Sequence, residues 1–160
     1  MMTDTILAIV ESFLATLAYA ILFNVPKRYY TACGITGMSG WILYLVMCRV
    51  TTVALASFIG TLAVVLISRI FTVRKKCPIT IFLISGIIPL VPGAGIYYTA
   101  YYLVTGQLSM AAMKGLEAVK VAFAIVLGII FVVSIPRDTF RLRYWRAKRK
   151  RKRLKNHVNV

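Results

Sequence analysis

Residues 79–104 read ITIFLISGIIPLVPGAGIYYTAYYLV, an uncharged apolar run with Pro89, Pro92, Gly93 and Gly95 near its centre. A helix needs about 20 such residues to cross a bilayer. Helix is the default there because hydrocarbon offers no partner to open backbone groups. Each proline removes a donor and collides with the preceding turn, and each glycine loosens the backbone. Two of each, so close together, predict a span broken near mid-membrane. Backbone freed at that depth is tolerated only inside protein or beside a watery cavity, and secondary transporters use such half-helix ends to hold solutes and ions. Pro89, Pro92, Gly93 and Gly95 are therefore the first candidates to line a solute site. A kinked packing helix, or a short re-entrant pair without a ligand, is the alternative.

Working outward, four more apolar segments cover about 5–24, 30–48, 50–71 and 110–135. Their boundaries carry helix-ending residues: Pro26 with Lys27 and Arg28, then Arg49, then Arg74, Lys75, Lys76 and Pro78, then Thr105, Gly106 and Gln107, and finally Pro136. The expected fold is all-α: a polytopic membrane bundle of about five helices, the fourth broken. Four is the alternative, because Arg49 alone separates the second and third segments. Residues 1–136 form the membrane domain and 137–160 a basic tail. The first segment lacks a basic start and runs long for a signal peptide, so it is read as a retained span.

Composition agrees with a lipid-embedded chain. Hydrophobic residues make up 60% and charged residues 15% of the 160, against roughly a quarter charged in soluble domains. The formal charge of +16 is concentrated, since eleven of the twenty cations lie at or after Arg137. Lysine and arginine favour the cytoplasmic side. Placing the tail inside also brings Lys27–Arg28 and Arg74–Lys76 inside, with the N-terminus outside. The expected location is the plasma (inner) membrane, multi-pass. The run from Arg146 to Lys155, beside Tyr144 and Trp145, predicts binding to anionic headgroups rather than to nucleic acid.

Individual residues add candidates. Gly34, Gly37 and Gly40 in the second segment, and Gly60 in the third, have the spacing that lets helices approach closely. Glu11 lies within the first span, where a carboxylate is costly unless paired, protonated or wet; ion coupling and an interfacial position are the two readings. Glu117 and Lys120 share a helix face, which predicts an interfacial pair with Lys114 nearby, or a place for Glu117 in ion coupling. Asn24 either ends the first helix or meets a solute. Cys33, Cys48 and Cys77 have no metal-ligand spacing, and His157 stands alone in the tail. No phosphate loop, nucleophile elbow or zinc motif is present. The sequence therefore points to no cofactor, no metal and no enzyme.

Phe23-Asn24-Val25-Pro26, the glycine-rich second span, and Ile88-Pro89-Leu90-Val91-Pro92-Gly93 followed by Tyr97 and Thr99 together resemble the small subunit of the threonine/serine exporter family. The resemblance spans about residues 5–135, and the Pro-x-x-Pro-Gly segment is its most specific part. It implies a two-component secondary exporter in which a larger membrane subunit is the partner. The small polar solute would be threonine or serine, or a dicarboxylate such as succinate, with Tyr97 and Asn24 as further contacts. The long basic tail departs from the family pattern. A non-transporting membrane scaffold or assembly factor is the competing function.

Overall fold

The computed structural model describes residues 2–135, with side chains from Thr5 onward; the basic tail and its expected headgroup contacts lie outside the described residues. Every regular element among them is helical: α1 (Met2–Leu22), a 3-10 turn (Lys27–Tyr29) leading into α2 (Tyr30–Cys48), α3 (Val53–Lys75), α4 (Thr80–Ile87) extended by a second 3-10 turn (Ile88–Leu90), α5 (Gly93–Val104) and α6 (Leu108–Val133). Four of these helices are each long and apolar enough to cross a membrane, and α4 with α5 forms a fifth candidate bent by 50°. The expected all-helical membrane bundle with a broken fourth segment is thus the observed architecture. The ambiguity in span number sits elsewhere than expected. Both α2 and α3 are full-length around Arg49, and the count turns on whether the bent pair crosses.

Helix ends follow from local chemistry. Asn24 takes the left-handed conformation (φ 53) just past α1. Its amide donates to the Ile21 carbonyl at 2.9 Å, and the Val25 amide donates to Ala20 at 3.0 Å. These two bonds are the Schellman arrangement, in which orphan carbonyls are satisfied by a chain reversal that asparagine tolerates. Val25 then packs into the same buried cluster as Ala20, and Pro26 prevents the helix from resuming.

Small residues set the packing. On α2, Gly34 and Gly37 lie against Phe13 and Thr16 of α1, which occupy the space a Cβ would need. Where α2 meets α3, a Cβ on Gly60 would lie 3.0 Å from the Gly40 carbonyl oxygen; where α6 crosses α3, one on Gly128 would lie 3.0 Å from Thr61. Without a hydrophobic drive in lipid, close approach of this kind is what holds helices together. The buried hydroxyls of Thr16, Thr36, Thr61 and Ser68 each donate to the carbonyl four residues earlier at 2.7 Å, so none enters the apolar interior unsatisfied.

One end of the bundle gathers the basic connections. Arg28 and Lys75 both lie over the Tyr29 ring, at 4.7 and 5.8 Å from its centroid, and Tyr29 meets Phe82 of α4 edge-on at 5.7 Å. Arg69, buried near the same end of α3, donates to the Val133 carbonyl at 2.7 Å and to that of Ile135. It thereby ties the C-terminal end of α6 to the basic end. α5 runs antiparallel along α6: a Cβ on Gly95 would meet Ala118 at 3.2 Å, and one on Gly115 would meet Thr99 at 3.2 Å. The bent pair therefore starts at the basic end and advances toward the opposite end, as one broken span does.

Candidate functional site

The break is built by its prolines. Pro89 occupies the opening of the 3-10 turn Ile88–Leu90, and Val91 leaves it in an extended conformation (φ −63, ψ 132). Pro92 follows at φ −76, ψ 58, and the Gly93 amide donates back to the Val91 carbonyl at 2.7 Å. That geometry is an inverse γ-turn, a tight reversal suited to proline's fixed φ. α5 then begins with the Ile96 amide donating to Pro92 at 3.1 Å. No side chain caps it. The amides of Ala94 and Gly95 are left as free first-turn donors among the described residues, at the end of the helix that carries partial positive charge.

Beside the break lies a cavity of about 920 Å³, away from the basic end of the bundle. The segment from Pro89 to Gly95 forms one wall, Trp41 and Tyr44 of α2 another, and the opening turns of α3 a third. α6 contributes Lys114, Glu117 and Lys120. Small-molecule sites run to roughly 300–1,000 Å³, so the space admits a metabolite with its hydration water. The Lys114 ammonium donates to a Glu117 oxygen at 3.1 Å, with side chains 41% and 63% exposed. Pairs like this on a wet helix surface contribute only about 0.2–0.5 kcal/mol, too little to make stability their reason for being there. The partner of Glu117 is thus Lys114, one turn earlier, and not Lys120 as the spacing suggested.

The structure brings Pro89, Pro92, Gly93, Gly95 and Glu117 to one cavity. The other expected contacts lie elsewhere. Asn24 sits in the reversal after α1, at the basic end, as the residue that caps that helix. Tyr97 is 64% exposed on α5 and points away; its neighbour Tyr98, one residue round the helix, lines the cavity instead. Glu11 is exposed on α1 and is not part of the lining. Gly34, Gly37, Gly40 and Gly60 lie in the helix contacts described above.

Sequence reasoning misses several residues. Trp41 has a buried indole N–H without a partner among the described residues, stacks on Tyr44 with centroids 5.0 Å apart, and lines the cavity. No one-dimensional signal marks it. Arg69 does carry a signal, since a lone cation inside an apolar segment always asks for a partner. Lys120 enters the sequence reading only as half of an interfacial pair.

The family model described as threonine/serine exporter, ThrE, matches residues 8–135. Neither the curated proteins nor the solved structures include a match to the chain. The matched stretch takes in five of the six helices whole and all of α1 beyond its first turns, and with them the helix break and the cavity lining. This chain belongs to the threonine/serine exporter family.

Proposed function

We propose that the chain is the smaller membrane subunit of a secondary exporter for small polar metabolites, working with a larger membrane subunit. The solutes are threonine and serine, or dicarboxylates such as succinate. The observation that carries this is the coincidence of the helix break with a metabolite-sized cavity bearing Lys114, Glu117 and Lys120, in a chain otherwise poor in charge within its spans. Pro89, Pro92, Gly93 and Gly95 form the solute site, and alternating access moves the cavity between the two sides. Glu117, and more remotely Glu11, are the carboxylates available for ion coupling.

A partner follows from the same cavity. Its open side exposes charged groups of α6 in the chain taken alone, and hydrocarbon is a poor neighbour for them. A second membrane subunit closing that side removes the conflict. With the basic end inward, as the positive-inside rule directs, the cavity opens toward the outside and the N-terminus is external, in the plasma membrane.

The test is export from cells loaded with threonine, serine or succinate, comparing cells lacking this chain, cells lacking the larger subunit and complemented cells. Loss of export of the same solute in both deletions, restored by complementation, is the expected result. Unchanged export of all three in either deletion sinks the assignment. A scaffold predicts export that persists whenever the partner remains in the membrane.

A further inference from the structure

We infer that the cavity recognises its solute by a carboxylate, and that Lys120 is the residue that holds it. This rests on the exporter assignment and narrows it to one chemical group and one side chain.

Lys120 stands twelve residues into α6, about 18 Å from the start of the helix at 1.5 Å per residue. That is the middle of the element, and its side chain is exposed in the chain taken alone; a cation at mid-helix in a membrane span is expensive against hydrocarbon, and its presence is by default functional. It lines the cavity. Glu117, the acid nearest in sequence, is engaged by Lys114; among the described residues no acid pairs with Lys120. The ionisable lining therefore totals two cations against one anion, with Lys120 as the surplus charge.

The opposite wall is complementary to the same ligand. α5 and α6 are antiparallel, with Thr99 level with Gly115 and Gly95 level with Ala118. Continuing that register puts the first turn of α5 level with Lys120. Ala94 and Gly95, whose first-turn amides have no partner among the described residues, line the cavity there. Hydroxyls and carbonyls of the lining can accept as well, but its only unbalanced charge is the Lys120 cation. An acceptor-rich, negatively charged group is what such a set binds, and a carboxylate on a lysine and helix amides is a charge-assisted arrangement. Lys114 and Glu117, nearer the start of α6, meet the remainder of the solute.

Inside-out membrane vesicles from cells carrying the full exporter test this with labelled L-threonine and labelled succinate. In the wild type, unlabelled L-threonine competes and L-threonine amide, which lacks the carboxylate, does not. Lys120→Gln raises the half-saturating concentration about ten- to hundredfold, the scale of one charge-assisted hydrogen bond, and Lys120→Arg keeps most of the affinity. Abundance and melting temperature of each variant in detergent extracts identify a folding defect, and the amide competition in wild type needs no variant. Equal competition by acid and amide, or unchanged half-saturation in a folded Lys120→Gln protein, overturns the inference while leaving the exporter standing. Absence of wild-type uptake of both labelled solutes overturns the exporter assignment, and this inference with it.

Discussion

Gly60 and Gly93 show how the same residue type serves two purposes at the scale of single side chains. At Gly60 an added Cβ would meet the Gly40 carbonyl at 3.0 Å, Leu90 at 3.2 Å and the Tyr44 Cβ at 3.3 Å. Two of those neighbours are backbone or rooted in it, so they cannot swing aside. Gly60→Val is expected to force α2 from α3 and cost about 1–3 kcal/mol of overpacking strain, read as a lower melting temperature of the detergent-extracted protein. At Gly93 nothing lies within 4 Å of the place a Cβ would take, and its φ is compatible with any residue. Gly93→Leu is therefore expected to fold with a melting temperature near that of the wild type while obstructing the cavity, so that export falls severalfold at unchanged abundance. A Gly93→Leu protein that melts early, or exports normally, contradicts this division. The spacing of Gly34, Gly37 and Gly40 was readable because small residues at helical intervals imply a contact whatever its partner. Which side chains fill the opposing surface, Phe13 and Thr16 among them, depends on helix rotation that one sequence does not specify. Trp41 and Lys120 belong to the same class: their facing toward the cavity is decided by how α2 and α6 are turned.

Elements are where the sequence spoke most clearly. Proline and glycine act on the backbone itself, so the break between α4 and α5 was legible without tertiary information, as were the ends at Pro26 and around Lys76. Substituting Pro89, Pro92 and Gly93 together by alanine restores donors and removes the inverse γ-turn. The 50° bend is then expected to relax toward a continuous helix, the first-turn amides of α5 to be consumed by intrahelical bonds, and export to be lost while the subunit stays in the membrane with its partner. Retained export by the straightened protein contradicts a role for the break. The end of α6 was less legible, because it depends on a contact between residues far apart in sequence. Arg69 supplies donors to the carbonyls of Val133 and Ile135, groups that a helix end leaves without intrahelical partners. Arg69→Met keeps the volume of the stem but removes the donors. A loss of about 1.5–3 kcal/mol, the range for hydrogen bonds to a charged group, is expected in unfolding measurements. Faster amide exchange should be confined to the last turn of α6, and α1 should be unaffected.

The whole molecule poses one question that the elements leave open, namely how many times the chain crosses. Two arrangements are available to a bent pair: to turn back on its own side, or to pass through. In the first, the connections at 76–79 and 105–107 face the same side of the membrane. In the second they face opposite sides. The internal geometry favours passage, since α4 begins beside Tyr29 and Phe82 at the basic end, α5 climbs α6 from Ala118 to Gly115, and Arg69 holds the far end of α6 back at the basic end. Charge distribution agrees, for passage puts Lys27, Arg28, Arg74, Lys75 and Lys76 together with the start of the basic tail on one side. Single cysteines decide it. In a chain whose Cys33, Cys48 and Cys77 are replaced by serine or alanine, Lys76→Cys and Gln107→Cys are both exposed positions in connections, and neither is in the cavity lining. A membrane-impermeant maleimide applied to intact cells is expected to label Gln107→Cys and spare Lys76→Cys, with the pattern reversed in inside-out vesicles. Labelling of both from one side means that α4 and α5 form a re-entrant pair, that the chain has four crossings, and that the N- and C-terminal ends share a side.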